Sequence, residues 1–278
     1  MIARLPAHWL FVLGAISQYV GAALAVLLFA SVPAAGVAWL RVVAAAVVLV
    51  AWRRPWRSRW TGPRLRLVGA FGLALALMNL CFYLAIDRLP LGTAVAIEFC
   101  GPIAVAALGS RTRRDAAALA LGAAGVLVLA DVHVAGSPGG FALAAAAGAW
   151  WAAYIVLGHR LAGDDGIRPQ DGLALGMAIG ALGLAPVLVP SAVPALSSPP
   201  LLAACLLVGL ASSVVPYALE QIAMRRLPRA RFALLLALLP ATAAIVGAAV
   251  LGQVPGLVEA GGIALVVLAA SLRSHAGP

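Results

Sequence analysis

The chain has 278 residues, of which 64% are hydrophobic and 10% charged, and its mean hydropathy is +1.07. A water-soluble protein of this length needs far more polar surface, so the composition excludes one and indicates an integral membrane protein. The net charge of +10 comes from 19 arginines with no lysine. These sit in short clusters between apolar runs rather than on one basic face, so they read as topology signals and no nucleic-acid partner is expected.

The first stretch, MIARLPAHWLFVLGAISQYVGAALA, has the charged start and small-residue end of a signal peptide. Its apolar run continues to about Phe29, long enough to span, so it is read as an uncleaved first helix. Nine further runs follow. Spans are expected near 9–30, 34–52, 66–86, 91–109, 115–131, 139–160, 172–190, 200–224, 230–250 and 257–273. Each can cross about 30 Å of hydrocarbon as a helix. The runs are continuous rather than alternating, which argues against strands.

With the N-terminus inside, 17 of the 19 arginines fall in the inner segments, from Arg4 through the Arg53–Arg66 cluster to Arg225, Arg226 and Arg273. Arg88 alone lies in an outer loop, and Arg41 lies within the second span. This asymmetry places both termini in the cytoplasm. The stretch AIDRLPLGTAVAIEFCGP (85–102) aligns with AMRRLPRARFALLLALLP (223–240) at an offset of 138, which superposes Arg88, Leu89, Pro90 and Pro102 on Arg226, Leu227, Pro228 and Pro240. Five spans per half is odd, so the repeats must be inserted in opposite senses, with residues 1–134 and 141–278 as the halves and 135–140 as the hinge. The expected fold is therefore an all-α membrane protein of ten transmembrane helices in two inverted five-helix repeats.

The fourth span carries Glu98 and, four residues on, Pro102. Proline has no N–H, so Pro102 leaves the Glu98 carbonyl without its helical donor. Pro216 does the same to Ser212, and Pro240 to Leu236. Broken ladders at membrane depth are tolerated where protein or a cavity satisfies the freed groups. Glu98, Arg41 and Asn79 each lie about seven residues from the outer end of their spans, at about 1.5 Å per residue roughly 10 Å deep. Charges at such depth face the bundle interior and find partners. Three readings remain open: an Arg41–Glu98 ion pair with Asn79 bonding nearby, the same cluster contested by an amino acid's ammonium and carboxylate, and proton uptake by Glu98.

Other candidates are weaker. Glu220, close to Arg225 and Arg226, is read as an interfacial ion pair or, with Tyr217, as a cytoplasmic gate. Gln18, Trp150, Trp151 and Tyr154 lie near mid-membrane, as cavity lining or as packing. Gly172, Gly176 and Gly180 form a close-approach face, toward another span or toward a second copy in a homodimer. Cys81, Cys100 and Cys205 are expected as free thiols. No Walker A sequence or HExxH occurs and the four histidines stand singly, so no ATP, metal or cofactor is expected.

The motifs around Glu98–Phe99–Cys100–Gly101–Pro102 and Pro216–Tyr217…Glu220, with stretches 16–41, 95–115 and 212–253, resemble the drug/metabolite transporter superfamily (EamA-like, ten-helix type). Within it the resemblance is above all to the bacterial threonine/homoserine exporter family. It implies a multi-pass inner-membrane protein that exports small amino acids or related metabolites, driven by an ion gradient with protons as the coupling ion. The alternatives are export of another metabolite or a drug, a non-transporting scaffold or sensor, and an intramembrane enzyme. Many relatives carry glutamates where this chain has Leu239 and Gln253, which leaves Glu98 and Glu220 as the main buried carboxylate candidates. Reporters fused to either end are expected on the cytoplasmic side; ends on opposite faces of the membrane would contradict the ten-span count.

Overall fold

Prolines mark where many of the helices begin. Pro6, Pro33 and Pro90 occupy N-cap positions, and Pro63, Pro138, Pro169 and Pro199 stand in first turns. There the missing N–H would have had no helical partner and the fixed φ suits entry into the helix. A computed structural model describes residues 6–108, 112–133, 137–164, 166–227 and 235–274, with backbone alone at 106–108, 130–133, 220, 221, 224, 225, 273 and 274. Arg4, Arg111, Arg229, Arg231 and the hinge residues Ala135 and Gly136 lie outside the described residues.

The helices are α1 (Ala7–Leu28), α2 (Ala34–Arg53), α3 (Gly62–Ile86), α4 (Leu91–Glu98), α5 (Cys100–Leu108), α6 (Arg113–His133), α7 (Pro138–Ala162), α8 (Pro169–Leu196), α9 (Pro199–Gly209), α10 (Val215–Arg226), α11 (Leu239–Leu251) and α12 (Leu257–Ser274). Helices α4 and α5 are two pieces of one rod. So are α9 and α10, joined through a π-helical turn at Leu210–Val214. The described residues thus form ten rods and no strand. Six rods are long and apolar enough to cross a membrane unaided, and shorter apolar helices accompany them.

The ten rods fall where the apolar runs predicted them. Ends shift by a few residues: α3 begins at Gly62 rather than 66, and α8 passes through Pro186, Pro190 and Pro194 to Leu196, beyond the end expected at 190. The three prolines are four apart, so the carbonyls they free fall on one stripe of the helix and the remaining hydrogen bonds carry it on.

Helix α2 packs along α8, α6 along α12, and α4 against α11. Helix α3 packs on α7 and α8, while α1 packs on α10 and α11. The closest of these approaches use glycine. A methyl at Gly72 of α3 would overlap the Gly176 carbonyl of α8, and one at Gly180 would run into the Gly72 carbonyl. Gly172 packs on Leu161. The glycine face of α8 is therefore occupied within the chain and not left for a second copy.

Gly72→Ala is expected to lower stability by about 1–3 kcal/mol through overpacking. Gly183→Ala on α8, where an added methyl meets nothing within 4 Å, should not lower it. Thermal unfolding in mild detergent compares the two.

Candidate functional site

The site is built where the helices break. In the eighth rod Pro216 cannot bond back to Ser212, and the chain widens into the π turn just before it. Side chains from two other helices close the exposed backbone. Arg41 on α2 donates through Nη2 to the Ser212 carbonyl at 2.8 Å and through Nε to the Ser213 hydroxyl at 2.9 Å. Ser17 on α1 donates to the Ala211 carbonyl at 2.7 Å. Gly21 of α1 lies against Ser212, where a methyl would come within 2.8 Å of its Cβ. The Arg41 guanidinium also sits over the Tyr83 ring, 5.1 Å from the centroid, a favourable cation–π geometry.

The fourth rod breaks at Phe99, between α4 and α5, three residues before Pro102. Here glycine rather than arginine fits the neighbour to the break. Helix α7 presents Gly148 to the Glu98 carbonyl, which a methyl would approach to 2.7 Å, and a methyl on Gly101 would overlap the Gly148 carbonyl. The break leaves the Glu98 side chain turned to a cavity.

That cavity has a volume of about 710 Å³ and lies between the two halves of the chain. Glu98, Arg41, Asn79, Gln18 and Ser212 supply polar lining. Phe99 stands edge-on to Trp151 at 5.2 Å between centroids, and Phe71 packs on Tyr154 at 4.9 Å. One face of α7, with Trp151, Tyr154, Ile155, Gly158, His159 and Ala162, forms a wall. The cavity continues along it to Pro169 and Gln170, where α7 ends and α8 begins, the end that carries the Arg53–Arg66 loop.

The opposite end is packed. The Leu91 N–H, unsatisfied as the first helical donor of α4, is accepted by the Gln253 side-chain oxygen at 2.9 Å. Gly252, at φ 69°, ends α11 in the left-handed conformation and returns Gln253 toward that helix end. Thr93 donates to the Glu259 carboxylate, and Gly92 lets α4 press on Ala244. None of these residues lines the cavity.

Gln18, Arg41, Asn79, Glu98, Pro102, Tyr154, Pro216 and Tyr217, expected from different spans, all line this one cavity. Trp150 does not line it. Its neighbour Trp151 does, about 100° further around α7. Pro240 does not line it either, although Leu236, whose carbonyl that proline frees, does. The Glu220 side chain lies outside the described residues.

Arg41 and Glu98 are each 7% exposed and, among the described residues, form no ion pair with each other. The reading of a helix-tying pair is replaced: Arg41 is drawn to the backbone of the π turn, and Asn79 donates to the Leu75 carbonyl of its own helix at 2.8 Å. The Glu98 carboxylate takes no hydrogen bond from a described residue. Glu98 and Glu220 are also not the whole set of buried carboxylate candidates, because Glu259 is 8% exposed. It stands in the first turn of α12, where a sequence reading takes an acid for an exposed one. Tyr19, Phe71 and Phe82 are cavity residues that the sequence did not single out. Among the described residues no group of His, Cys, Asp and Glu could hold a metal ion.

At the arginine-rich end, Arg64 of α3 clasps Asp164 in the α7–α8 loop through Nε and Nη2 at 3.1 and 2.8 Å. That pairing, with the Gly166 N–H, holds the Asp164 carboxyl below the usual range.

A multi-pass bundle whose broken helices surround a largely apolar chamber with a few polar groups has the build of a membrane carrier. Residues 138–274 match the EamA-like transporter family. Over 238 residues the chain is 39% identical to the threonine/homoserine exporter RhtA of Salmonella typhimurium strain LT2 and to that of Escherichia coli K12, covering 84% of this chain and 79% of each relative. The chain belongs to the EamA-like transporter family. A crystal structure 22% identical in sequence, covering 96% of this chain and 98% of its own, superposes with a TM-score of 0.60 and shows the same fold.

Arg41→Met keeps bulk but removes the side-chain donor to the Ser212 carbonyl. It is expected to cost about 1–3 kcal/mol, against about 1 kcal/mol for Ser213→Ala. Unfolding of the detergent-solubilised variants measures the difference.

Proposed function

We propose that the protein is a secondary exporter of small amino acids, threonine and homoserine foremost, carried from cytoplasm to the far side of the inner membrane by alternating access. The observation that carries this is the Glu98 carboxylate, without a hydrogen-bond partner among the described residues, in one chamber with the Arg41 guanidinium. An amino acid has the matching pair of groups: its ammonium goes to Glu98 and its carboxylate to the Arg41 side of the cavity. Glu98, Arg41, Asn79 and Gln18 bind, while Trp151, Tyr154 and Phe99 size the pocket for a small side chain.

The positive-inside pattern puts the arginine-rich end in the cytoplasm. In that orientation the chamber is open inward and packed shut outward by the α4–α11 layer. Transport exchanges these two states, with Glu98 alternating between substrate and a coupling proton. Tyr217, with Glu220, closes the inner mouth when the outer one opens. The packing partners support two inverted five-rod repeats, because exchanging the first five rods for the last five maps the pairs onto one another: α2 with α8, α6 with α12, α4 with α11, and α3–α7 with α1–α10. A homodimer would use a surface other than the glycine face of α8. The names of the curated relatives support the amino-acid reading, and export of another metabolite or a drug is the competing one.

Glu98→Gln removes the charge while keeping the shape. Losing one charge-assisted hydrogen bond is worth about 1.5–3 kcal/mol, so apparent threonine affinity should fall about 10- to 100-fold in proteoliposomes. The dependence of flux on the proton gradient should flatten. Unchanged flux and pH profile would leave Glu98 a structural residue. Wild-type protein that moves neither threonine nor homoserine would remove the substrate assignment.

A further inference from the structure

A second concavity, of about 580 Å³, lies outside the central chamber at the arginine-rich end of α2 and α8. Five arginines line it, Arg53, Arg54, Arg57, Arg59 and Arg168, against one acid, Asp171. Asp171 is already engaged. Arg53 reaches its Oδ1 at 2.9 Å, and the Ser58 hydroxyl donates to its Oδ2 at 2.9 Å. Arg54, Arg57, Arg59 and Arg168 have no acidic partner among the described residues.

The arginines are held on an ordered loop. Arg54 leaves α2 in the left-handed conformation, φ 52°, which reverses the chain at once. Residues Pro55–Arg57 then form a 3₁₀ turn, and the Trp60 indole N–H donates to the Pro55 carbonyl at 2.8 Å. A non-glycine residue at positive φ is uncommon and persists where the surroundings hold it. Here the holding groups are the Asp171 bonds and the Trp60 bond, and what they hold is a set of guanidinium groups around one hollow.

Trp52, which lines the hollow, is 68% exposed, and Trp56 on the same loop is 64% exposed. Exposed tryptophans at a span end belong at the level of lipid headgroups. Guanidinium groups match phosphate oxygens in geometry and charge. We propose that this hollow is a binding site for the phosphate of an anionic phospholipid headgroup, held by Arg54, Arg57, Arg59 and Arg168 with Trp52 and Trp56 against the lipid surface. Arg53 and Ser58 shape the site through Asp171 and leave the other arginines to the lipid. The site is independent of what the central chamber carries.

The test uses the full chain in nanodiscs of phosphatidylcholine with increasing phosphatidylglycerol. Retained lipid is read by native mass spectrometry, alongside the thermal midpoint. The triple variant Arg54→Gln/Arg57→Gln/Arg59→Gln leaves the Arg53–Asp171 pair intact. At about a factor of five per arginine near a membrane surface, it should bind phosphatidylglycerol on the order of 100-fold more weakly. Its midpoint in pure phosphatidylcholine should match the wild type. Arg57→Gln alone, read the same way, gives a smaller loss and decides the matter if the triple variant does not fold. Equal retention of phosphatidylglycerol by wild type and variants overturns the proposal. So does an equal rise in midpoint from inorganic phosphate in pure phosphatidylcholine, which would assign the hollow to a free anion.

Discussion

A buried guanidinium bonded to a carbonyl that its own helix cannot use is the contact on which this structure turns. Hydrocarbon offers no donor, so the Ser212 carbonyl released by Pro216 must be met by protein. Arg41 meets it from 171 residues away in sequence. The same contact solves a second problem, because an arginine at that depth must itself be partnered. Two groups that are each unfavourable in oil become compatible in contact, and α2 is tied to the π turn beside the chamber.

The fourth rod solves the matching problem by subtraction. At Phe99 the break lies against α7, which approaches through Gly148 and Gly101 because neither carries a side chain. Close backbone contact of this kind is how helices associate where the hydrophobic effect gives no drive between them. Its consequence for the site is that Glu98 is not used to repair the helix. An arginine bound to backbone and a glutamate bound to nothing described face one space. An ion pair between them would have filled the chamber with the protein's own charges.

Much of this arrangement was legible beforehand. The ten spans follow from run length, and the shared depth of Arg41, Asn79 and Glu98 follows from counting residues from span ends. The breaks in the fourth and eighth rods follow from Pro102 and Pro216. The errors are equally specific. Trp150 was named with Trp151 as lining or packing, because mid-span position does not reveal which face of α7 meets the chamber. Glu259 was passed over because a first-turn acid looks exposed until Thr93 is seen against it. Span 7 was ended at 190, yet α8 runs on to Leu196 because the losses at its three prolines share one stripe of the helix.

The sequence by itself determined what the bilayer demands of each segment alone: how many apolar runs there are, how deep each polar group lies, and where a helix must lose a hydrogen bond. Those are local quantities, set by hydropathy, by 1.5 Å per residue and by the missing N–H of proline. Only the tertiary structure decided that Arg41 serves Ser212 and Ser213 rather than forming an ion pair with Glu98, that Gly176 and Gly180 meet Gly72, and that Gln253 and Glu259 hold α4 at the packed end. These depend on the rotation of each helix about its axis and on partners more than a hundred residues apart. Side-chain packing sets both, and hydropathy carries no information about either.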